Sequence, residues 1–254
     1  MTREDLAGRL RALPATRKII TALDVPGAAE ALDLAARLGP DGGFVKVGLE
    51  LFSAAGPAVV RDLRSAGRDV FLDLKYHDIP NTVAKAAVQA AALGASLCTV
   101  HAAAGRAALT AAAEALARVP VSPAAADGRR PALMAVTVLT SMSAGELQET
   151  APSPDSLADR IARLAALAWD CGCDGLICSA ADLPAVRSAV GPAPLVVTPG
   201  IRPAGAGKDD QHRIATPAQA VRDGADFLVI GRPITQAPDP AAAIAAIAAE
   251  IAAA

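Results

Sequence analysis

Residues 69–83 read Asp69-Val70-Phe71-Leu72-Asp73-Leu74-Lys75-Tyr76-His77-Asp78-Ile79-Pro80-Asn81-Thr82-Val83, and they place four ionisable side chains, Asp73, Lys75, His77 and Asp78, within six residues of one another. The apolar run Val70 to Leu74 reads as a short buried strand, which would be more stable without those charges. The side-chain period of two along a strand puts Asp73 and Lys75 on one face, with Leu72 and Leu74 on the other. Unlike charges then share one pocket wall, an arrangement suited to proton transfer and to stabilising charge that develops during a reaction. A lone Asp and Lys at a strand end would read as a salt bridge of little energetic worth. Four such groups at the end of a buried strand read as an active site. Pro80, Asn81 and Thr82 are helix-start residues, so Asp78 falls on the loop between strand and helix.

A second group of residues suits a phosphate. Thr198-Pro-Gly-Ile-Arg202-Pro and Ile230-Gly231-Arg232-Pro233 each follow an apolar run. Glycine permits close backbone approach, and the guanidinium fork matches phosphate oxygens. Each motif alone reads equally well as a surface arginine beside a turn glycine; together they favour phosphate. The intervening segment, Gly205 to Arg213 with Lys208, Gln211 and His212, is long, polar and glycine-rich, which suits a mobile lid. It is not a Walker loop, since Arg202 and Asp209 stand where Gly and Ser or Thr would be needed. His212 reads as a solvated loop residue, and His101 equally as a packed, hydrogen-bonded histidine or a ligand.

The elements that must position these groups alternate along the chain. Strands are expected at 18–23, 44–47, 69–74, 96–100, 132–139, 175–178, 195–198 and 227–230. Helices are expected at about 28–38, 51–66, 81–93, 106–118, 156–171, 181–189, 217–223 and 240–251, preceded by an N-terminal helix at about 2–13 whose Thr2 and Asp5 are spaced as a capping box. Eight strands alternating with helices imply a parallel sheet, and eight such units imply a closed (β/α)8 TIM barrel. The length of 254 residues fits one barrel domain over 1–254, and no composition shift marks a linker. An open doubly wound sheet is the alternative, but Asp24-Val25-Pro26-Gly27 follows the first strand where a dinucleotide fingerprint would stand. The barrel places active residues after strand C-termini. Asp24, Lys46, Asp73, Lys75, Asp78, His101, Thr140, Ser141, Arg202, Gly231 and Arg232 all fall on that rim.

Composition excludes other classes. The chain is 53% hydrophobic, 20% charged and 2% aromatic, with a net charge of −2, so a core of small aliphatic side chains is available while base-stacking aromatics and a basic patch are not. No nucleic-acid partner is expected. The N-terminus lacks a signal-peptide core, and the Ala-rich tail from 239 is too short and carries Glu250, so neither secretion nor a membrane span is expected. Cys171, Cys173 and Cys178 lack the CxxC spacing of structural zinc sites and, with Cys98, read as buried thiols that fit a cytoplasmic protein. The Pro-, Ala- and Arg-rich loop at 121–130 reads as a surface insertion.

Taken together the motifs resemble the orotidine 5′-phosphate decarboxylase family over nearly the whole chain. The resemblance rests on Ala22-Leu-Asp24, Val45-Lys46-Val-Gly, Asp73-Leu-Lys75-Tyr-His-Asp78-Ile-Pro-Asn-Thr82, Val136-Thr-Val-Leu-Thr140-Ser141, Thr198-Pro-Gly-Ile-Arg202-Pro and Ile230-Gly-Arg232-Pro. The Asp-x-Lys-x-x-Asp core is shared with related metal-dependent keto-sugar-phosphate decarboxylases and synthases; the extension from His77 to Thr82 points to the orotidylate branch. The resemblance implies a decarboxylation to UMP without cofactor or metal, in pyrimidine biosynthesis. It makes Lys75 the proton donor, sets Asp73 beside the substrate carboxylate, and has Lys46 and Asp78 complete a charge array. Asp78 and Thr82 would reach over from the second subunit of a homodimer. Asp24 would bind ribose, Thr140 and Ser141 the pyrimidine, and Arg202, Gln211, Gly231 and Arg232 the phosphate side. A non-catalytic phosphometabolite-binding barrel is a further alternative, which explains the arginines but leaves the buried charges without a use.

Overall fold

A computed structural model describes residues 1–120, 130–203 and 215–254. Eight parallel strands close into a barrel in sequence order: β1 (Ile19–Ala22), β2 (Phe44–Val47), β3 (Asp69–Tyr76), β4 (Leu97–His101), β5 (Ala132–Val136), β6 (Gly175–Ile177), β7 (Leu195–Thr198) and β8 (Phe227–Ile230), with β1 paired to β8. The helices described are α1 (Arg3–Arg11), α2 (Ala28–Arg37), α3 (Leu49–Ala55), α4 (Ala58–Ser65), α5 (Pro80–Ala92), α6 (Arg106–Arg118), α7 (Ala144–Thr150), α8 (Leu157–Asp170), α9 (Leu183–Val190), α10 (Pro217–Arg222), α11 (Arg232–Thr235) and α12 (Pro240–Ala252). This is the expected (β/α)8 barrel, with local departures. The helix expected at 51–66 is two, α3 and α4, because Gly56 takes φ 65° and Pro57 follows it. The third strand runs on to Tyr76, and the fifth stops at Val136, leaving Thr137 to Leu139 in the following loop. The short helices α7 and α11 were not among the expected elements.

Two cores follow from strand alternation. Outward-facing residues such as Val45, Leu72, Cys98 and Leu228 pack with the helix faces. Inward-facing residues, among them Ile20, Phe44, Phe71, Leu97, Met134, Val197 and Phe227, fill the barrel, with Phe44 and Phe227 meeting edge to face at 5.8 Å between ring centroids. Gly175 on β6 makes room there: a Cβ on it would lie 2.5 Å from the Met134 methyl. Helix α1 closes the barrel end from which the strands start, inserting Leu6, Ala7 and Leu10 against this inner core. The capping box between Thr2 and Asp5 starts that helix as the sequence requires. Arg3 anchors it, stacking 3.9 Å over the Trp169 ring and donating to the Trp169 carbonyl at 2.9 Å.

The same end carries carboxylates at strand starts, each held by arginine. Asp69 meets Arg17, Arg64 at 2.9 Å and Ser96 at 2.7 Å. Asp174 takes a two-pronged contact from Arg130 at 2.6 and 2.7 Å, and Asp226 pairs with Arg11 at 2.7 Å and Arg187 at 2.9 Å. The four cysteines are buried free thiols, and burial first, then the Asp174 charge, pushes the Cys98 thiol up to about 12. Among the described residues no helix is long and apolar enough to cross a membrane.

Candidate active site

On three neighbouring strands, β2 to β4, the inward face is apolar where the strand begins and polar where it ends. On β2 Phe44 gives way to Lys46; on β3 Phe71 gives way to Asp73 and then Lys75; on β4 Leu97 gives way to Thr99 and His101. The polar residues therefore collect at the mouth of the barrel, over a floor of packed side chains that excludes water from below.

The structure resolves the expected charge array into two ion pairs. Lys75 Nζ lies 2.8 Å from Asp73 Oδ2, with Asp73 nearly buried at 8% exposure. Lys46 Nζ lies 2.9 Å from Asp24 Oδ1. The Asp24 side chain is 60% exposed, so that pair contributes little to stability. Gly48 leaves room for the amine, since a Cβ there would lie 2.7 Å from Lys46 Nζ. Asp78 stands apart: it is exposed, and its carboxylate accepts from the Ile79 N–H at 2.6 Å. Thr82 is likewise exposed on the first turn of α5, and Ile79 beside them is 65% exposed.

Lys75 has φ 51°, the only positive value for a residue other than glycine among those described. For a side chain larger than Asn this region costs about 1–3 kcal/mol and persists only where the surroundings hold it. Strain at the lysine of the half-buried pair singles it out as a candidate site residue. Two further residues touch this segment. Thr99, fully buried on β4, accepts from the Lys75 N–H at 2.7 Å and donates to Asp73 Oδ1 at 3.1 Å. His101 stacks on His77 at 5.4 Å between centroids, and its Nδ1 accepts from the Ala103 N–H. Burial first, then the charges of His77 and Lys75, holds the His101 imidazole below its ordinary value, so it is neutral at pH 7. His101 is thus packed and hydrogen-bonded. Thr99 is absent from the sequence reading, although Leu97, Thr99 and His101 at alternate positions are the signal of a polar inward face.

On the opposite side of Lys46 lies a cleft of about 180 Å³ lined by Asp24, Lys46, Gly200, Arg202, Gly231 and Arg232. Arg202 is buried, at 7% exposure, and its guanidinium donates to the Ile201 carbonyl, while its backbone N–H donates to Ala215 O at 3.0 Å. The arginines after β7 and β8 therefore share one cleft with the Asp24–Lys46 pair, as the two loop motifs required. Thr140 and Ser141 form the turn after β5, closed by Met142 N–H to Leu139 O at 2.9 Å; Leu139 packs over the inner core. Gln211, His212 and the remaining lid candidates lie outside the described residues, as does most of the loop at 121–130.

The order of the strands turns these parts into one elongated site. Going round the mouth through β7, β8, β1, β2, β3 and β4, the sequence is buried arginine, glycine with arginine, Asp24, Lys46, the Asp73–Lys75 pair, then Thr99 and His101. The two arginines stand at one end of this arc and the Asp73–Lys75 pair at the other, with Asp24 and Lys46 between them.

Comparison with known proteins places this geometry. The model of the family described as orotidine 5′-phosphate decarboxylase / HUMPS matches residues 17–247. The orotidine 5′-phosphate decarboxylase of Halorhodospira halophila is 53% identical over 242 residues, covering 95% of this chain and 99% of that protein. That of Moorella thermoacetica is 51% identical over 234 residues, 92% of each chain. The crystal structure of orotidine 5′-phosphate decarboxylase from Lactobacillus acidophilus superposes with a TM-score of 0.80 at 39% identity, covering 92% of this chain and 98% of that one.

Proposed function

Because the chain belongs to the orotidine 5′-phosphate decarboxylase / HUMPS family, we propose that it is the carboxy-lyase that converts orotidine 5′-phosphate to UMP and carbon dioxide. The observation that carries this reading is the Lys75–Asp73 pair at 2.8 Å, placed at the barrel mouth one strand away from a cleft lined by two arginines. Phosphate bound by Arg202, Arg232 and the Gly231 backbone sets one end of the substrate, and Asp24 with Lys46 meets the ribose hydroxyls. The pyrimidine then extends toward Lys75, with Thr140 and Ser141 on its polar edge.

The chemistry follows from the charges. The bond between C6 and the carboxylate breaks, carbon dioxide leaves, and the bonding pair stays on C6 as a carbanion. The Lys75 ammonium stabilises that pair electrostatically and then transfers a proton from Nζ to C6, giving UMP. Asp73 holds the ammonium in place and lies beside the departing carboxylate. This scheme asks for no electron sink beyond the lysine. Asp78 and Thr82 are exposed within one chain, which supports a homodimer in which each subunit lends both residues to its partner's site. UMP formation is a step of pyrimidine nucleotide synthesis, and the four free thiols are consistent with a cytoplasmic enzyme.

The test offers purified protein orotidine 5′-phosphate and a 3-keto-hexulose phosphate in parallel, each with EDTA and with added magnesium. Loss of the orotate absorbance in EDTA, with no turnover of the sugar phosphate, is the expected result. Turnover of the sugar phosphate alone, dependent on magnesium, would move the chain to the metal-dependent branch of the same family.

A further inference from the structure

The ladder that should hold the catalytic segment is missing where the segment lies. On the β2 side, pairing with β3 runs from Phe44 opposite Asp69 to Val47 opposite Leu72 and stops. On the β4 side, Leu72 stands opposite Cys98 and the next partner pair is Tyr76 with Val100. Three residues of β3, Asp73, Leu74 and Lys75, thus face a single residue of β4, Thr99. Such a bulge leaves the extra residues without ladder partners and free to drift. Lys75 at the same time occupies a left-handed conformation that its own side chain disfavours.

Thr99 supplies what the ladder does not. Its oxygen accepts the Lys75 backbone N–H at 2.7 Å, and its hydroxyl proton goes to Asp73 Oδ1 at 3.1 Å. Asp73 Oδ2 in turn accepts from Lys75 Nζ at 2.8 Å. The hydrogen bonds close a ring in which one hydroxyl fixes the lysine by its backbone and its counter-charge by the carboxylate. Thr99 is itself held firmly, being fully buried and paired opposite Met134 in a β4–β5 ladder unbroken from Leu97 to His101.

We infer that Thr99 is a positioning residue for the decarboxylation: its hydroxyl replaces the lost ladder contact at the β3 bulge and sets where the Lys75 ammonium stands. Valine would fill the same space without either hydrogen bond; serine would keep both. The inference rests on the proposed reaction, so its test has one arm that does not.

Thr99→Val and Thr99→Ser are compared with the wild type in steady-state turnover of orotidine 5′-phosphate and in amide hydrogen exchange at Lys75, with thermal melts as a folding control. In Thr99→Val, kcat should fall about a hundredfold while KM changes only a few-fold, as expected when a reacting group is misplaced but substrate contacts remain. The Lys75 amide should exchange at least about tenfold faster in the same variant. Thr99→Ser should stay near wild type in both. If Thr99→Val does not fold, Thr99→Ala takes its place against Thr99→Ser. Wild-type kcat in the hydroxyl-free variant, an equal loss in the serine variant, or a loss of kcat with the Lys75 amide still protected would each overturn the inference. A wild-type protein that fails to turn over the substrate would count against the proposed reaction, and hydrogen exchange would still decide whether the bridge exists.

Discussion

At the scale of single residues, the chain uses buried charge in two opposite ways. At the closed end of the barrel, Asp69 serves stability. Burial alone would raise its carboxyl pKa, yet the Ser96 hydroxyl and the Arg17 and Arg64 guanidinium groups outweigh burial and hold it below the ordinary value. A carboxyl depressed in the folded state contributes stability above its unfolded value of about 3.9, and that contribution disappears as pH falls through the folded value. Asp69→Asn should therefore cost about 3 kcal/mol in denaturant unfolding at pH 7, because it leaves two arginines facing an uncharged amide, and the deficit against wild type should shrink below about pH 4. A deficit that is unchanged across that range would refute the account of Asp69. At the open end, the proposed reaction uses charge for chemistry, and Lys75 there holds a positive φ that costs backbone energy. In the proposed reaction Arg232 acts at a distance. Arg232→Ala touches no reacting atom but should lower kcat/KM by at least about a hundredfold, since binding energy at a remote phosphate lowers the barrier at the reacting carbon. A near-normal kcat/KM would show that the arginine after β8 is a surface residue.

At the scale of elements, α1 is a plug rather than an appendage. Leu10 is 1% exposed and faces the inner core, so Leu10→Ala should lower stability by about 2–5 kcal/mol, read from denaturant midpoints, while leaving KM unchanged. A cost below about 0.5 kcal/mol would mean that the helix only rests on the barrel. Most of the elements were legible in the sequence because apolar runs alternate with amphipathic stretches, and β2, β7 and β8 fall where those runs predict. The misses have physical causes. The expected helix at 51–66 carries its own break in Gly56-Pro57, a signal outweighed by the continuous apolar pattern around it. Helix α7 has a capping box, Ser143 with Glu146, but buries no residue fully and so gives no periodic apolar signal. Thr99 sits in the run Leu97 to Val100 and reads as one more strand former. The bulge in β3 was beyond reach: nothing in Asp73-Leu74-Lys75 asks for a left-handed backbone, and only the register on β4 reveals it.

At the scale of the whole molecule, one end of the barrel is sealed by a helix and by arginine–carboxylate pairs, and the other presents every candidate site residue that the structure describes. The exposed row Asp78, Ile79 and Thr82 leaves the site of a single chain open on the β3 side. If partner subunits exchange those residues, Lys75→Ala and Asp78→Ala homodimers should both be inactive, yet unfolding and refolding them together in equal amounts should restore about a quarter of wild-type activity, because half of the dimers then hold one intact site of two. No recovery above the separate variants would place both residues of each site in one chain. The central claim is that a lysine, acting as cation and acid, carries the decarboxylation. The most direct measurement is the loss of orotate absorbance at saturating orotidine 5′-phosphate in EDTA, for the wild type and for Lys75→Ala of matched thermal stability. The wild type should turn over and the variant should lose at least about a thousandfold in kcat while still binding UMP; a variant that retains turnover within tenfold of wild type would contradict the account.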